Sequence, residues 1–245
     1  MFIQQSFVTL GKVLPAVLAP IIFFELPIDP SWVGVYVGMI AGSSLLVQAG
    51  CGSIIVRYGP LRVSQAALLL TGFGLALAST GILPLLALSA ISIGFAGSST
   101  PASSHLLSRF SYPKQAPLIF SIKQTAVPVG LLLAGALGPI LTELFGWRYA
   151  LFIIGMCCVT FALIIEPLRY EFDKGKDETR RFQLSDFKYT ITLVFSKSDL
   201  RHLALGCFAF VGLQTTFVAY FVLYLTKIGY SLVEAGGIFS VSISA

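Results

Sequence analysis

Apolar stretches of membrane length follow one another almost without interruption, and that pattern leaves few folds open. They fill positions 5–25, 32–55, 64–81, 84–108, 117–141, 147–166 and 201–226, and another opens at 232. A hydrocarbon core of about 30 Å takes roughly 20 apolar residues at a helical rise of 1.5 Å. The stretches do not alternate polar and apolar positions, so they predict helices rather than barrel strands. Only 11% of the 245 residues are charged, less than half of the roughly 25% in a soluble domain. The expected class is an all-α integral membrane protein with seven complete spans and part of an eighth. The stretch from 232 to 245 is too short to cross the core, so the chain is expected to be truncated within the eighth span.

Charge placement orients the helices. Twelve of the 16 Lys and Arg fall in loops on the side shared by Arg57, Arg109 and Arg169, and two (Arg148, Lys227) on the other. The positive-inside rule therefore predicts a cytoplasmic N-terminus, in a multi-pass protein of the cell inner (plasma) membrane. The net charge of +5 is read as this loop bias, with the bilayer and not nucleic acid as its partner. Cys51, Cys157, Cys158 and Cys207 sit within or at the ends of apolar stretches without metal-site spacing, and read as packing residues. The N-terminus lacks the basic start and small-residue cleavage site of a signal peptide, so it reads as a retained first span.

One connection stands apart. From Pro167 to Arg201 the chain turns polar. Its later half, "LSDFKYTITLVFSKSDL", reads either as a solvated linker or as an interfacial helix with Phe187, Ile191 and Val194 on one face. The expected organisation is a six-helix N-terminal half at 1–166, a cytoplasmic linker at 167–200 and the start of a second half at 201–245. "DPSWVGVYVGMIAGS" and "GYSLVEAGGIFSVSIS" enter the second and eighth spans alike, as parallel repeats would.

Between the second and third spans lies "GSIIVRYGPLR", residues 52–62. Gly52 is expected to admit a close neighbouring helix, and Gly59 to take a positive φ in a tight reversal. Pro60 fixes the next φ, while Arg57 and Arg62 hold the loop at the polar side. This loop resembles the signature loop of the major facilitator superfamily, in which a glycine, an Asp-Arg pair, a second glycine and a basic cluster follow in order. Gly52, Arg57, Gly59 and Arg62 match, whereas Val56 stands where the family usually has Asp. The fifth span, glycine-rich and ending in Gly138-Pro139 before Gly146-Trp147-Arg148, resembles the family's fifth span. The resemblance covers the whole chain. It implies a six-plus-six bundle with a central cavity lined by the first, fourth and fifth spans, and an inner-side latch at the 52–62 loop.

Ionisable groups inside a span are costly and mark function unless they reach the interface. Lys12 lies about 10 Å into the first span and Lys123 about 9 Å into the fifth, with Gln124, Thr125 and the helix-loosening Pro128 and Gly130 following Lys123. His105 closes the hydroxyl-rich stretch "GSSTPASSH" of the fourth span. Gln48 and the mid-span Gln214 complete the candidate solute-binding set of Lys12, Gln48, His105, Lys123, Gln124, Thr125 and Gln214. Each lysine has a second reading as a snorkelling interfacial cation. Glu25, Glu143 and Glu166 all fall at span ends. Two cations without a buried carboxylate point to an anionic solute, such as a carboxylate, held by Lys123 as the sharper candidate and by Lys12 as the second. Coupling to a proton or ion then rests on His105 or on residues elsewhere, unless transport is uniport or exchange.

The expected function is secondary or facilitated transport of a small solute by alternating access. The alternatives are a non-transporting membrane sensor of the same fold and an inactive fragment. No catalytic constellation, metal site or cofactor motif accompanies Ser103, Ser104 and His105, so the reading is not an enzyme.

Overall fold

Every apolar stretch becomes a helix, because backbone groups in lipid have no partner but their own segment. The computed structural model describes residues 1–26, 29–177, 179 and 191–244. The first span is Phe2–Val17 followed by Ala19–Glu25, bent by 46° at the break. Pro15 and Pro20 flank this bend, and each removes a backbone N–H from the helical ladder. The second and third spans are Trp32–Tyr58 and Pro60–Ser79, the fourth and fifth Leu83–Phe110 and Ala116–Phe145, the sixth Trp147–Ile164. A 3₁₀ turn at Ala96–Ser98 interrupts the fourth span, and a step at Thr125 interrupts the fifth. The seventh span is Ser198–Lys227, and the eighth helix is Leu232–Ser244. Phe187 lies outside the described residues; residues 191–196 are helical.

The third span packs along the sixth, the first along the fifth, and the eighth along the fifth. The last contact depends on glycine. A Cβ on Gly236 would fall on the Gly135 carbonyl, and one on Gly135 would meet the Gly236 carbonyl and Phe239. Side chains at both positions are missing so that the two backbones touch. The main core joins Leu14, Leu18, Leu75, Trp147, Val222 and Phe239 from four spans and the eighth helix.

The loop at 52–62 departs from expectation at one point and is completed at another. Gly52 is exposed, and a Cβ there would meet nothing within 4 Å among the described residues, so the expected close approach is not made by them. Gly59 takes the expected positive φ of 93° and caps the third span. The missing acid at Val56 is supplied from beyond the sixth span. Buried Asp173 accepts the Leu61 and Arg62 N–H groups at 2.9 and 3.0 Å, satisfying two first-turn donors that a helix leaves open. Glu166 bonds Arg62 at 3.2 Å, Arg169 at 3.0 Å and Gln65 Nε2 at 2.8 Å.

The opposite end has its own tie. Trp147 Nε1 donates to Glu25 at 2.7 Å, and the Arg148 guanidinium lies 4.5 Å from the Trp147 ring centroid.

Candidate functional site

The first span carries Gln5, Thr9 and Lys12 at helical spacing, so the three share one face. That face borders a cavity of about 230 Å³ whose wall also includes Gln48, Thr100 and Gln214. Its sides come from the first, second, fourth, fifth and seventh spans; no residue of the third or sixth contributes. Those two spans carry charge only in their first turns, at Arg62 and Arg148, and pack on each other where Gly72 and Gly155 bring their backbones together.

Lys12 is exposed and lines the cavity. The helix begins at Phe2, which puts Lys12 about 15 Å along the axis, deeper than the hydropathy boundary suggests. No carboxylate is among the lining residues. Gln48 Nε2 donates to Ser44 Oγ at 2.9 Å, which fixes the amide against its own helix.

Lys123 is placed differently. It is buried, and its ammonium donates to Ser104 Oγ at 2.9 Å and Thr100 O at 3.3 Å. Thr100 Oγ1 accepts from Gln5 Nε2 at 3.2 Å, and Gln5 Oε1 accepts from Ser99 Oγ at 3.0 Å. A single polar chain thus ties the fifth span to the fourth and the fourth to the first. Lys123 sits behind the cavity wall, one hydrogen-bonded residue removed from it, and acts as a tie on Thr100.

Of the candidate residues, Lys12, Gln48 and Gln214 meet at one cavity; His105, Lys123, Gln124 and Thr125 do not line it. Gln124 and Thr125 are exposed, with Thr125 Oγ1 donating to Ile122 O at 2.7 Å. His105 is half-buried, and its Nδ1 finds no hydrogen-bond partner among the described residues. Gln5, Thr9 and Thr100 were not singled out by depth. The polar spacing at 5, 9 and 12 is the signal that finds the first two.

The cavity is shut at one end. Ala219 of the seventh span is buried with Ala19 and Val33, flanked by Phe23, Val37 and Leu223. Toward the end carrying Arg57, residues 201–214 of the seventh span are exposed except for half-buried Ala204.

A cavity between helices, with polar wall residues from the first, second, fourth and seventh spans and none from the third and sixth, can be compared with known proteins. A sequence model of the Major Facilitator Superfamily matches residues 1–245. The chain belongs to the major facilitator superfamily. No curated protein matches its sequence. Among solved structures, a bacterial homologue of the human lysosomal transporter Spinster, in an inward-facing and occupied conformation, superposes with a TM-score of 0.71 at 16% identity. The alignment covers 97% of this chain and 55% of that one. At this identity the likeness is one of superfamily fold. The chain spans little more than half the length of that superfamily structure.

Proposed function

We propose that the protein is a secondary or facilitated transporter of a small anionic solute, and that Lys12 is the cation that holds the solute in the cavity. One observation carries this reading: an exposed lysine deep in a cavity between spans, faced by amides and hydroxyls and by no carboxylate. An ammonium so placed is stabilised by an anion or by water. A solute carboxylate or similar group that replaces that water gains a charge-assisted hydrogen bond of about 1.5–3 kcal/mol. Gln48 of the second span and Gln214 of the seventh, both lining the cavity, supply donors and acceptors for the rest of the solute.

The proposed organisation is a six-span half at 1–166, a linker at 167–200 and the start of a second half at 201–245. Alternating access is rocking of the seventh and eighth helices, with their half, against the first six. The positive-inside bias supports a plasma-membrane protein with the Arg57 end in the cytoplasm. With that orientation, the end packed shut by Ala19, Val33 and Ala219 is the outer one. No carboxylate is among the described lining residues; a coupling proton or ion would rest on His105 or on residues outside this wall, and uniport or exchange needs neither.

The test is uptake into proteoliposomes by wild type, Lys12→Ala and Lys12→Arg, across organic anions and neutral solutes. The alanine variant is expected to lose roughly 10- to 100-fold in kcat/KM for the transported anion, which is about 1.4–2.8 kcal/mol. The arginine variant is expected to keep most of it. Anion uptake that is unchanged in Lys12→Ala sinks the anion reading; no uptake of any solute by wild type sinks the transport reading itself.

A further inference from the structure

We propose a phospholipid site on the outer surface of the bundle at its Arg57 end, selective for anionic lipid and separate from the central cavity. Arg57, Arg62, Arg169 and Lys176 surround a recess of about 360 Å³ together with Tyr58. Directly beside it, a groove of about 360 Å³ runs between the second, third and fourth spans. Tyr58 and Arg62 line both, so the basic recess opens into the groove at its mouth.

The groove is lined by Val47, Ile54, Ala66, Leu70 and Phe95 and others, with Arg62 as its sole charged wall residue. Ala66 and Phe95 are exposed, so the groove faces the surrounding lipid. From Tyr58 back to Val47 the second span rises about 16 Å, close to half of the roughly 30 Å hydrocarbon core, the depth of one leaflet. Tyr58 is an aromatic at the junction of polar and apolar zones, where such side chains settle at headgroup level.

The two parts match the two parts of an anionic phospholipid. Three guanidiniums and an ammonium fit a phosphate and its neighbouring hydroxyls, which arginine bonds in pairs. Basic recesses between spans on the positively biased side are suited to acidic headgroups. Glu166 is shared by Arg62 and Arg169 through separate oxygens, which holds both guanidiniums at the recess wall. Both Asp173 oxygens are engaged by the Leu61 and Arg62 amides. Asp177, which is not among the residues lining the recess, donates its N–H to Val56 O at 2.9 Å and accepts from Thr179 at Oδ1. A free phosphate would satisfy the recess and leave the groove unused; a lipid occupies both.

The site has a consequence for motion. It joins the second and third spans to Glu166 and Arg169 beyond the sixth, so a bound lipid braces the loop at 52–62 against the segment that follows the sixth span.

The experiment is native mass spectrometry of the purified protein given phosphatidylglycerol, phosphatidylcholine of the same acyl chains, or inorganic phosphate. Wild type is expected to retain phosphatidylglycerol over phosphatidylcholine. Arg57→Gln with Lys176→Gln is expected to lower that preference about tenfold or more. Ala66→Trp, an exposed position where added bulk fills the groove without touching the core, is expected to weaken phosphatidylglycerol retention while leaving the charges in place. Equal retention of the two lipids by wild type overturns the site. So does unchanged phosphatidylglycerol binding in Ala66→Trp with displacement by inorganic phosphate, which marks a free-anion recess. Circular dichroism and melting temperature of each variant separate lost binding from lost fold.

Discussion

Asp173 and Lys123 show how much depends on single polar atoms in this molecule. Asp173 closes the third span from 112 residues away in sequence, doing from beyond the sixth span what a local cap usually does. Asp173→Ala removes both acceptors from buried N–H groups and is expected to cost about 1–2 kcal/mol, read as a lower melting temperature in detergent; Asp173→Asn is expected to recover part of it. An unchanged melting temperature in Asp173→Ala would contradict the cap. Lys123 is predicted to act through Thr100. Lys123→Met is expected to lower stability and transport rate with little change in KM for the solute, because its ammonium binds Ser104 and Thr100 rather than facing the cavity. A large rise in KM with an unchanged melting temperature would place it in contact with solute instead. Depth within a span was visible in the sequence for both lysines, but the direction in which each side chain points was not. That direction depends on helix rotation, which the sequence encodes only through neighbours such as Gln5 and Thr9. The acid partners were hidden for a related reason. Val56 removes the local Asp, and nothing in the spacing announces that Glu166 and Asp173 return to the same loop.

Helix positions, by contrast, were nearly all readable, because length and hydropathy alone decide which segments enter lipid. The spans lie where the apolar stretches are, with the third starting a few residues early at Pro60 and the fifth running on to Phe145, just before Gly146. The internal breaks were less evident: the bend between Val17 and Ala19 follows from Pro15 and Pro20, whereas the 3₁₀ turn at Ala96–Ser98 occurs without any proline inside it. Glycines divide into two kinds. Gly135 and Gly236 lie at a backbone contact, and Gly52 does not. Gly135→Val is therefore expected to cost about 1–3 kcal/mol by overpacking and to separate the eighth helix from the fifth, measured by loss of a disulfide between cysteines placed at Leu132 and Ser240. These two residues are joined by a 3.0 Å hydrogen bond. Gly52→Ala is expected to leave stability unchanged. Equal damage from both substitutions would contradict the packing described.

At the scale of the whole molecule, one end of the cavity is closed by apolar packing of the seventh span on the first and second, and the other is not. Closure depends on small residues: Ala19, Val33 and Ala219 are all buried in it. Enlarging Ala219 to Leu is expected to pry that end apart and raise accessibility from the Glu25 side, read by labelling with an impermeant maleimide in vesicles of known orientation. The polar chain from Lys123 to Ser99 ties the first, fourth and fifth spans together, so the first six spans are expected to move as one body against the last two helices. The central claim is that an anion occupies the cavity against Lys12. It is tested most directly by placing a cysteine at Thr215, on the wall contributed by the seventh span, and following maleimide labelling as the transported anion is added. The account predicts that the anion protects Cys at 215 in the Lys12 protein and that Lys12→Ala abolishes protection at the same concentration. Protection that is equally strong in Lys12→Ala, or equally strong with a neutral solute of the same size, would contradict it.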